Sequence, residues 1–234
     1  MACAAKGIEV GTLCTMDEVF EQVLPAQLHA RSCAISGPSF AAEVARDLPT
    51  AVVVAGRDAR CAHAVANAFH GSRFRVYHTD DIIGAELGGA LKNVMAIACG
   101  IIDGQGLGLN ARAALITRGL AEITRLAVAR GANPLTLAGL AGMGDLVLTC
   151  TDNQSRNRRM GLLLAQGKSV DDATREIRQV VEGIKAAPEV LRLAKQHGVE
   201  MPITEAVGAV LDGRMNPVEA VRALATRPAK PEAG

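Results

Sequence analysis

The chain has 234 residues, of which 49% are apolar, so it is long enough to bury a substantial core. Its net charge of +1 gives no attraction to nucleic acid, and its few aromatic residues (no Trp, one Tyr, four Phe) leave little for bases to stack on. The sequence has no run of about eighteen apolar residues, so it predicts no membrane span. The six cysteines form no C-x-x-C pair and have no His at ligand spacing, which predicts a reduced cytoplasmic protein without a metal site or disulfide framework.

Residues 1–80 alternate segments typical of strands and helices, as in the later part of a doubly wound α/β sheet. The stretch Thr15–Glu18 has the pattern of a capping box and predicts a helix that runs to about His29. Further along, the pattern predicts strands over Cys33–Ile35, Ala51–Ala55 and Arg73–His78, and helices over Phe40–Ala45 and Asp58–His70.

From Asp81 onward the sequence predicts helices only. A long apolar helix covers Asp81–Asp103, a second runs from an Asn110 cap to Arg130, and others begin at Asn133-Pro134, Ser169 and Asn216-Pro217. Two glycine patterns, Gly104–Gly108 and Gly139–Gly144, follow no strand and are therefore not dinucleotide loops. We place a boundary near residue 80, between an α/β portion (1–80) and an all-helical portion (81–226), with a flexible tail over 227–234.

The segment Gly142–Met160 concentrates carboxylates, hydroxyls, amides and guanidiniums within an otherwise apolar chain. A guanidinium can hold a phosphate dianion with a planar fork of donors, while hydroxyls and amides can bind alcohol groups. The segment therefore predicts a polar loop that binds a small phosphorylated polyol. The alternative is a solvated turn that caps the next helix.

Lys92 stands out in the long apolar helix because almost nothing near it is charged. Its side chain should lean toward residues 88 and 89, both glycine, which cost about 1 kcal/mol each relative to alanine. Close approach of a ligand would explain these glycines, and a lysine there could have a lowered pKa and act as a general base. The alternative is tight helix packing at the glycines, with Lys92 extending to solvent.

Two earlier segments could also contribute to a site. Lys6 follows a short apolar run, where a cation could hold a phosphate or polarise a carbonyl; the alternative is an exposed terminal lysine. The segment Ser36–Phe40 follows a strand and precedes a helix, so its backbone N–H groups could donate to a ligand oxygen; the alternative is an ordinary turn.

Taken together, these motifs resemble the NAD(P)-dependent glycerol-3-phosphate dehydrogenases of the bacterial type. The matching segments follow the family's order and cover nearly the whole chain: Lys6–Glu9, Ser36–Ala41, Phe74–Tyr77, Gly89–Val94, Asn110–Gly119, Gly144–Arg159, Val180–Gly183 and Met201–Glu205. The resemblance implies a partial Rossmann-like N-terminal portion, followed by an all-α domain similar to the C-terminal helical bundle of 6-phosphogluconate dehydrogenase.

The resemblance also implies an oxidoreductase that interconverts sn-glycerol 3-phosphate and dihydroxyacetone phosphate with NAD or NADP, in the synthesis of glycerophospholipid precursors. It implies that Lys92 is the proton acceptor and that Lys6 and Asp145 are also catalytic. The implied substrate-binding residues are Lys6, Gly37, Ser39, Lys92, Asp145, Thr149, Ser155, Arg156 and Asn157. The implied cofactor-binding residues are Lys6, Ala41, Arg156, Val180 and Glu182.

One family feature has no counterpart in this sequence, the Gly-x-Gly-x-x-Gly turn after the first strand, so we expect the first half of the nucleotide-binding sheet to be missing. This leaves open a phosphopolyol-binding or dimerisation module without catalysis. A related hydroxyacid dehydrogenase with a carboxylate substrate is a third hypothesis, against which Ser155-Arg156-Asn157 argues. The resemblance further implies a cytoplasmic homodimer that binds a small-molecule substrate, not nucleic acid or a membrane.

Overall fold

A small sheet near the N-terminus packs against a helical body in this computed structural model, which describes residues 1–229 and 231–232. The strands are Ala2–Cys3 (β1), Cys33–Ser36 (β2), Thr50–Ala55 (β3) and Phe74–Thr79 (β4). All three strands predicted over 33–78 are confirmed to within one residue at each end. The partial Rossmann-like portion followed by a helical domain is likewise confirmed.

The sheet has the order β1-β2-β3-β4, and its strands are not all parallel. β1 is parallel to β2 and β3 is parallel to β4, whereas β2 and β3 are antiparallel, with Ile35 opposite Val54. The connection between β2 and β3 contains a single helical turn, Ala41–Val44 (α3). A longer helix normally crosses over between parallel strands, so this short connection is consistent with the reversal.

Three more helices belong to the N-terminal portion: Met16–Val23 (α1), Ala26–His29 (α2) and Ala59–Phe69 (α4). The predicted capping box is present at Thr15 and Glu18. The prediction of one helix up to His29 is wrong, because Pro25 separates α1 from α2. Proline lacks the N–H that would continue the helix and restricts the residue before it.

The helical body is built around Ile82–Gly104 (α5), of which 20 of 23 residues are buried. The other helices are Gly108–Ala129 (α6), Pro134–Ala138 (α7), Asp145–Thr151 (α8), Arg156–Ala165 (α9), Val170–Ile177 (α10), Glu182–Gln196 (α11), Pro202–Leu211 (α12) and Pro217–Ala225 (α13). α5 packs against α6, α8, α9, α11 and α12, and residues such as Leu91 and Met95 are fully enclosed between them. Among the described residues α5 alone is long and apolar enough to cross a bilayer, but 94% of its apolar window is buried inside the protein.

Helices predicted at Asn133, Ser169 and Asn216 are confirmed, and each of these side chains caps its helix. The prediction of a cap at Asn110 is wrong. The chain turns at Gly106 and Gly108, whose φ angles are +69° and +86°, so α6 begins two residues before Asn110. The boundary near residue 80 and the flexible tail stay predictions; of the tail, residues 230, 233 and 234 lie outside the described residues.

The prediction of a polar loop over 142–160 is also wrong. The segment enters from a π-helical turn, Leu140–Gly144, continues as α8, and after a turn at 152–155 begins α9. Five of its polar side chains are buried, at most 8% exposed each: Asp145, Thr149, Ser155, Asn157 and Arg158. The exposed ones, Thr151, Asn153 and Gln154, lie at the end of α8 and in the turn. Polar composition suggested solvent exposure, but the buried groups bond to one another and to neighbouring elements inside the protein.

Candidate active site

Three buried side chains meet where α5 packs against α8. Lys92 lies in the middle of α5, and Asp145 and Thr149 lie one helical turn apart on α8, so they share a face. Lys6 reaches the same place from the segment after β1. The structure therefore brings together residues that are 139 positions apart in the sequence.

The carboxylate of Asp145 lies between the two ammonium groups. Lys6 Nζ donates to Asp145 Oδ2 at 2.6 Å, and Lys92 Nζ donates to Asp145 Oδ1. Lys92 Nζ also donates to Thr149 Oγ1 at 2.9 Å, while this hydroxyl lies 2.6 Å from the backbone oxygen of Asp145. Thr149 can therefore donate its proton to the backbone and accept from Lys92, which fixes the direction of the ammonium group.

The environment of Lys92 makes its neutral form more accessible than that of an ordinary lysine. Burial is the main cause that lowers the pKa of Lys92 to about 8, and the charge of Lys6 acts in the same direction, whereas Asp145 opposes both. A group with that pKa is neutral in about one molecule in ten at pH 7, so Lys92 can accept a proton at that pH. With two lysines charged against one carboxylate, the site keeps a positive charge that suits an anionic substrate.

The two glycines before Lys92 allow other groups to approach α5. A Cβ on Gly88 would lie 2.6 Å from the backbone oxygen of Ala141, and one on Gly89 would lie 3.2 Å from Cδ of Lys6. The groups that approach these glycines are therefore the π-helical turn and the stem of Lys6, not a ligand. Tight packing at the glycines is correct, but extension of Lys92 to solvent is wrong, because Lys92 is 8% exposed.

The turn after β2 holds Lys6 from its other side. Lys6 Nζ donates to the backbone oxygen of Gly37 at 3.1 Å. Gly37 has a φ of +125°, a conformation that favours glycine, and an added Cβ would also lie 3.1 Å from Cα of Val52. Lys6 is thus neither a free terminal lysine nor fully buried, since 21% of its side chain remains exposed.

A second polar cluster, Ser155, Arg156, Asn157 and Glu182, lies next to the first. Asn157 Nδ2 donates to Oδ1 of Asn93, the residue after Lys92, at 3.0 Å. The backbone N–H of Gly183 donates to Asn157 Oδ1 at 2.8 Å, and Arg156 Nη2 lies 2.6 Å from Glu182 Oε1. Since Asn93 connects the clusters, Lys92 and the start of α9 belong to one region of the protein.

The side chains of this second cluster differ in what they leave for a ligand. Ser155 Oγ accepts from the backbone N–H of Arg158 at 3.2 Å, so it caps α9, as the alternative reading of this segment predicted. Asn157 is engaged on both sides of its amide. The guanidinium of Arg156 is paired with Glu182 but 38% exposed, which leaves it accessible to an anion.

Three predicted residues lie at the rim, not in the buried centre. Ser39 and Ala41 are exposed around the start of α3, and Val180 is 64% exposed just before α11. Gln154 Nε2 donates to Glu43 Oε1 at 3.3 Å, which joins α3 to the turn before α9. The roles assigned to these residues stay predictions.

Asn93 is the contact residue that sequence reasoning missed. Its side chain is the direct link between α5 and Asn157, and it is 6% exposed. A signal was available, because an amide inside an apolar helix needs a hydrogen-bond partner when it is buried. It was overshadowed by the charge of Lys92 beside it.

The polar groups fit the reacting end of a nicotinamide dinucleotide. Ser36 Oγ is buried without a hydrogen-bond partner among the described residues, and an added Cβ on Gly89 would lie 3.1 Å from it. Glu182, Arg156 and Lys6 could accept from or donate to amide and hydroxyl groups at the rim. No strand-to-helix connection among the described residues has the Gly-x-Gly-x-x-Gly spacing that would hold the pyrophosphate.

Comparisons with known proteins agree over the length of the chain. Residues 81–222 match the family profile described as NAD-dependent glycerol-3-phosphate dehydrogenase C-terminus, and residues 1–62 match its N-terminus. A protein of Anaeromyxobacter dehalogenans named glycerol-3-phosphate dehydrogenase (NAD(P)+) is 59% identical over 99% of this chain and 70% of its own length. A protein of the same name from Xanthomonas euvesicatoria is 54% identical over 99% of this chain and 67% of its own length.

A solved structure shows the same architecture. The crystal structure of glycerol-3-phosphate dehydrogenase from Coxiella burnetii matches with a TM-score of 0.91 and 48% identity, over 97% of this chain and 68% of that one. At that score the two backbones follow the same course through the sheet and the helical body.

Proposed function

The chain belongs to the NAD-dependent glycerol-3-phosphate dehydrogenase family, and we propose that Lys92 is the proton acceptor in its reaction, the NAD(P)-dependent interconversion of sn-glycerol 3-phosphate and dihydroxyacetone phosphate. One observation carries this assignment. A single buried carboxylate, Asp145, accepts hydrogen bonds from both Lys6 and Lys92, so the two amines can act on one bound molecule.

In the oxidation, neutral Lys92 takes the proton of the C2 hydroxyl while the hydrogen on C2 leaves as a hydride and the carbonyl forms. The nicotinamide, when bound, supplies the acceptor for that hydride. Asp145 and Thr149 then stabilise the new ammonium group of Lys92 through the contacts already present. In the reduction, the same ammonium returns its proton to the forming alkoxide, since both directions share one transition state.

Arg156 and Lys6 provide the charges for the substrate's phosphate. The guanidinium of Arg156 is partly exposed beside Asn157, and Lys6 is partly exposed beside Asp145. A phosphate dianion that binds Arg156 competes with Glu182 for the guanidinium fork. Gly37, Ser39 and Ser155 are proposed to line the substrate, and Ala41, Val180 and Glu182 the cofactor.

Lys92→Ala tests the assignment. The variant should lose turnover, followed by NAD(P)H absorbance, while it keeps its circular dichroism spectrum and still binds glycerol 3-phosphate in a calorimetric titration. Lys185→Ala, at an exposed position of α11, is the matched control. Turnover of Lys92→Ala near the wild-type rate would reject the role. If the wild-type chain binds glycerol 3-phosphate but not NADH, the binding-module hypothesis would be favoured instead.

We further propose that the protein is a cytoplasmic homodimer that supplies glycerol 3-phosphate for glycerophospholipid synthesis. The six cysteines are all free thiols, which supports a reducing compartment. Exposed apolar side chains such as Leu135, at 76%, support association of two copies. Sedimentation equilibrium at micromolar concentration would test the dimer.

A further inference from the structure

Arg158 lies beside the proposed substrate residues, but its guanidinium is turned toward the far end of α5. Its Nε and Nη2 donate to Asp103 Oδ2 at 3.1 and 2.6 Å, and its Nη1 donates to Asn153 Oδ1. The side chain is 9% exposed, and that of Asp103 is 12% exposed. All three nitrogen atoms of the Arg158 guanidinium therefore bond to other residues of the protein.

These contacts tie three segments to one another. Asp103 is the next-to-last residue of α5, Asn153 belongs to the turn at 152–155, and Arg158 is the third residue of α9. The backbone N–H of Arg158 also donates to Ser155 Oγ. The turn that leads into α9 is thus closed twice, once through the backbone of Arg158 and once through its side chain.

A close crossing of α5 and α9 lies next to this ion pair. A Cβ on Gly161 would lie 2.0 Å from the backbone oxygen of Ile97, and one on Gly100 would lie 2.1 Å from that of Arg158. The two backbones are in direct contact here, which fixes the separation of the helices. The first turn of α9 lies before this crossing, and Arg158 links that turn to Asp103 at the end of α5.

We propose that Arg158 is a positioning residue which, through Asp103 and Asn153, holds the first turn of α9 so that Arg156 meets the substrate's phosphate while Asn157 keeps its contact with Asn93. The inference rests on the proposed function of that turn. Arg156 and Asn157 are the two residues immediately before Arg158, so a small rotation of this turn displaces both of them relative to Lys92. Displacements of about 1 Å can reduce the efficiency of a site by up to about a hundredfold.

The chain offers a matched control for a purely structural ion pair. Arg112, on α6, also donates to Asp103 Oδ2, at 3.0 Å, and among the described residues no hydrogen bond joins its side chain to α9. Both Arg112→Lys and Arg158→Lys keep the positive charge and remove the planar fork. A structural role predicts that affinity changes only in proportion to lost stability, whichever arginine is changed.

The experiment measures calorimetric dissociation constants for glycerol 3-phosphate, together with melting temperatures, for wild type and both variants. We expect Arg158→Lys to weaken binding about tenfold and Arg112→Lys to stay within about twofold, at comparable losses of melting temperature. Equal weakening by both variants, or an unchanged constant in folded Arg158→Lys, would overturn the proposal.

Two further variants keep the result interpretable. Asn153 is exposed, so Asn153→Ala removes one bond of Arg158 with little risk to folding, and it should weaken binding in the same direction. If Arg158→Lys does not fold, unchanged binding by Asn153→Ala overturns the proposal. Arg156→Lys separates the two hypotheses: if it leaves affinity unchanged, the proposed phosphate site is wrong, whereas if it alone weakens binding, only the role of Arg158 is wrong.

Discussion

Replacing Lys92 by Met should change how the stability of the protein depends on pH. Burial lowers the pKa of Lys92 from 10.5 to about 8. Between these values the folded protein has lost a proton that the unfolded chain still holds, so the free energy of unfolding rises with pH. The difference of 2.5 units, at about 1.36 kcal/mol each, gives a rise of about 3 kcal/mol that the Met variant cannot show.

Urea unfolding at pH 7.5, 8.5, 9.5 and 10.5 measures this effect directly. The free energy of unfolding of Lys92→Met, relative to wild type, should be highest at pH 7.5 and should fall by nearly 3 kcal/mol toward pH 10.5. The physical reason is that below pH 8 wild type holds a buried charge on Lys92, which lowers its stability and which the variant lacks. Lys185→Met, on the surface of α11, is the control and should track wild type. A constant difference between Lys92→Met and wild type across this range would refute the reasoning.

Three other substitutions test separate parts of the structure. Gly161→Ala places a methyl group against a backbone oxygen of α5 and should lower the free energy of unfolding by about 3 kcal/mol or more, whereas Gly71→Ala, with open space around it, should have little effect in the same urea assay. Burial raises the pKa of Glu122, which caps α12, to about 7, so the folded state holds an extra proton and wild type should lose stability as the pH rises from 4.5 to 7. Glu122→Gln should lose less over that range, since only Glu86, whose pKa burial also raises to about 7, still contributes; parallel curves for wild type and variant would contradict this. Thr149→Val removes a hydrogen-bond partner of the buried ammonium and should reduce the oxidation rate about tenfold. Thr151→Val, at the exposed last residue of α8, should leave the oxidation rate unchanged.

Local signals in the sequence predicted the ends of many helices, because capping depends on a few adjacent residues. The side chains of Asp58, Asn133 and Ser169 each accept from a backbone N–H in the first turn of the following helix. The error at Asn110 has a local cause as well, since two glycines of positive φ start α6 earlier. Strand direction depends on how the connections pack, so the reversal between β2 and β3 could not be predicted from periodicity.

The candidate site shows a different limit. Lys92 could be singled out as a charge in an apolar helix, but its partners come from distant segments that no spacing rule connects. The polar stretch over 142–160 was predicted to be a loop because polar residues usually face water. Inside the protein Asp145 pairs with two lysines and Arg158 pairs with Asp103, so these charged groups keep hydrogen bonds while buried. A segment rich in polar residues can therefore form buried helices.

The glycines of α5 connect the fold to the chemistry. Four of its five glycines fall in two groups, Gly88 and Gly89 before Lys92, and Gly100 and Gly104 after it. The first group admits the π-helical turn and the stem of Lys6, and the second admits the backbone of α9. Each glycine in a helix costs about 1 kcal/mol of intrinsic stability, and tight contacts on both sides of Lys92 offset that cost. The same helix therefore carries the proposed base and sets its distance from the second lysine on one side and from the proposed phosphate-binding turn on the other.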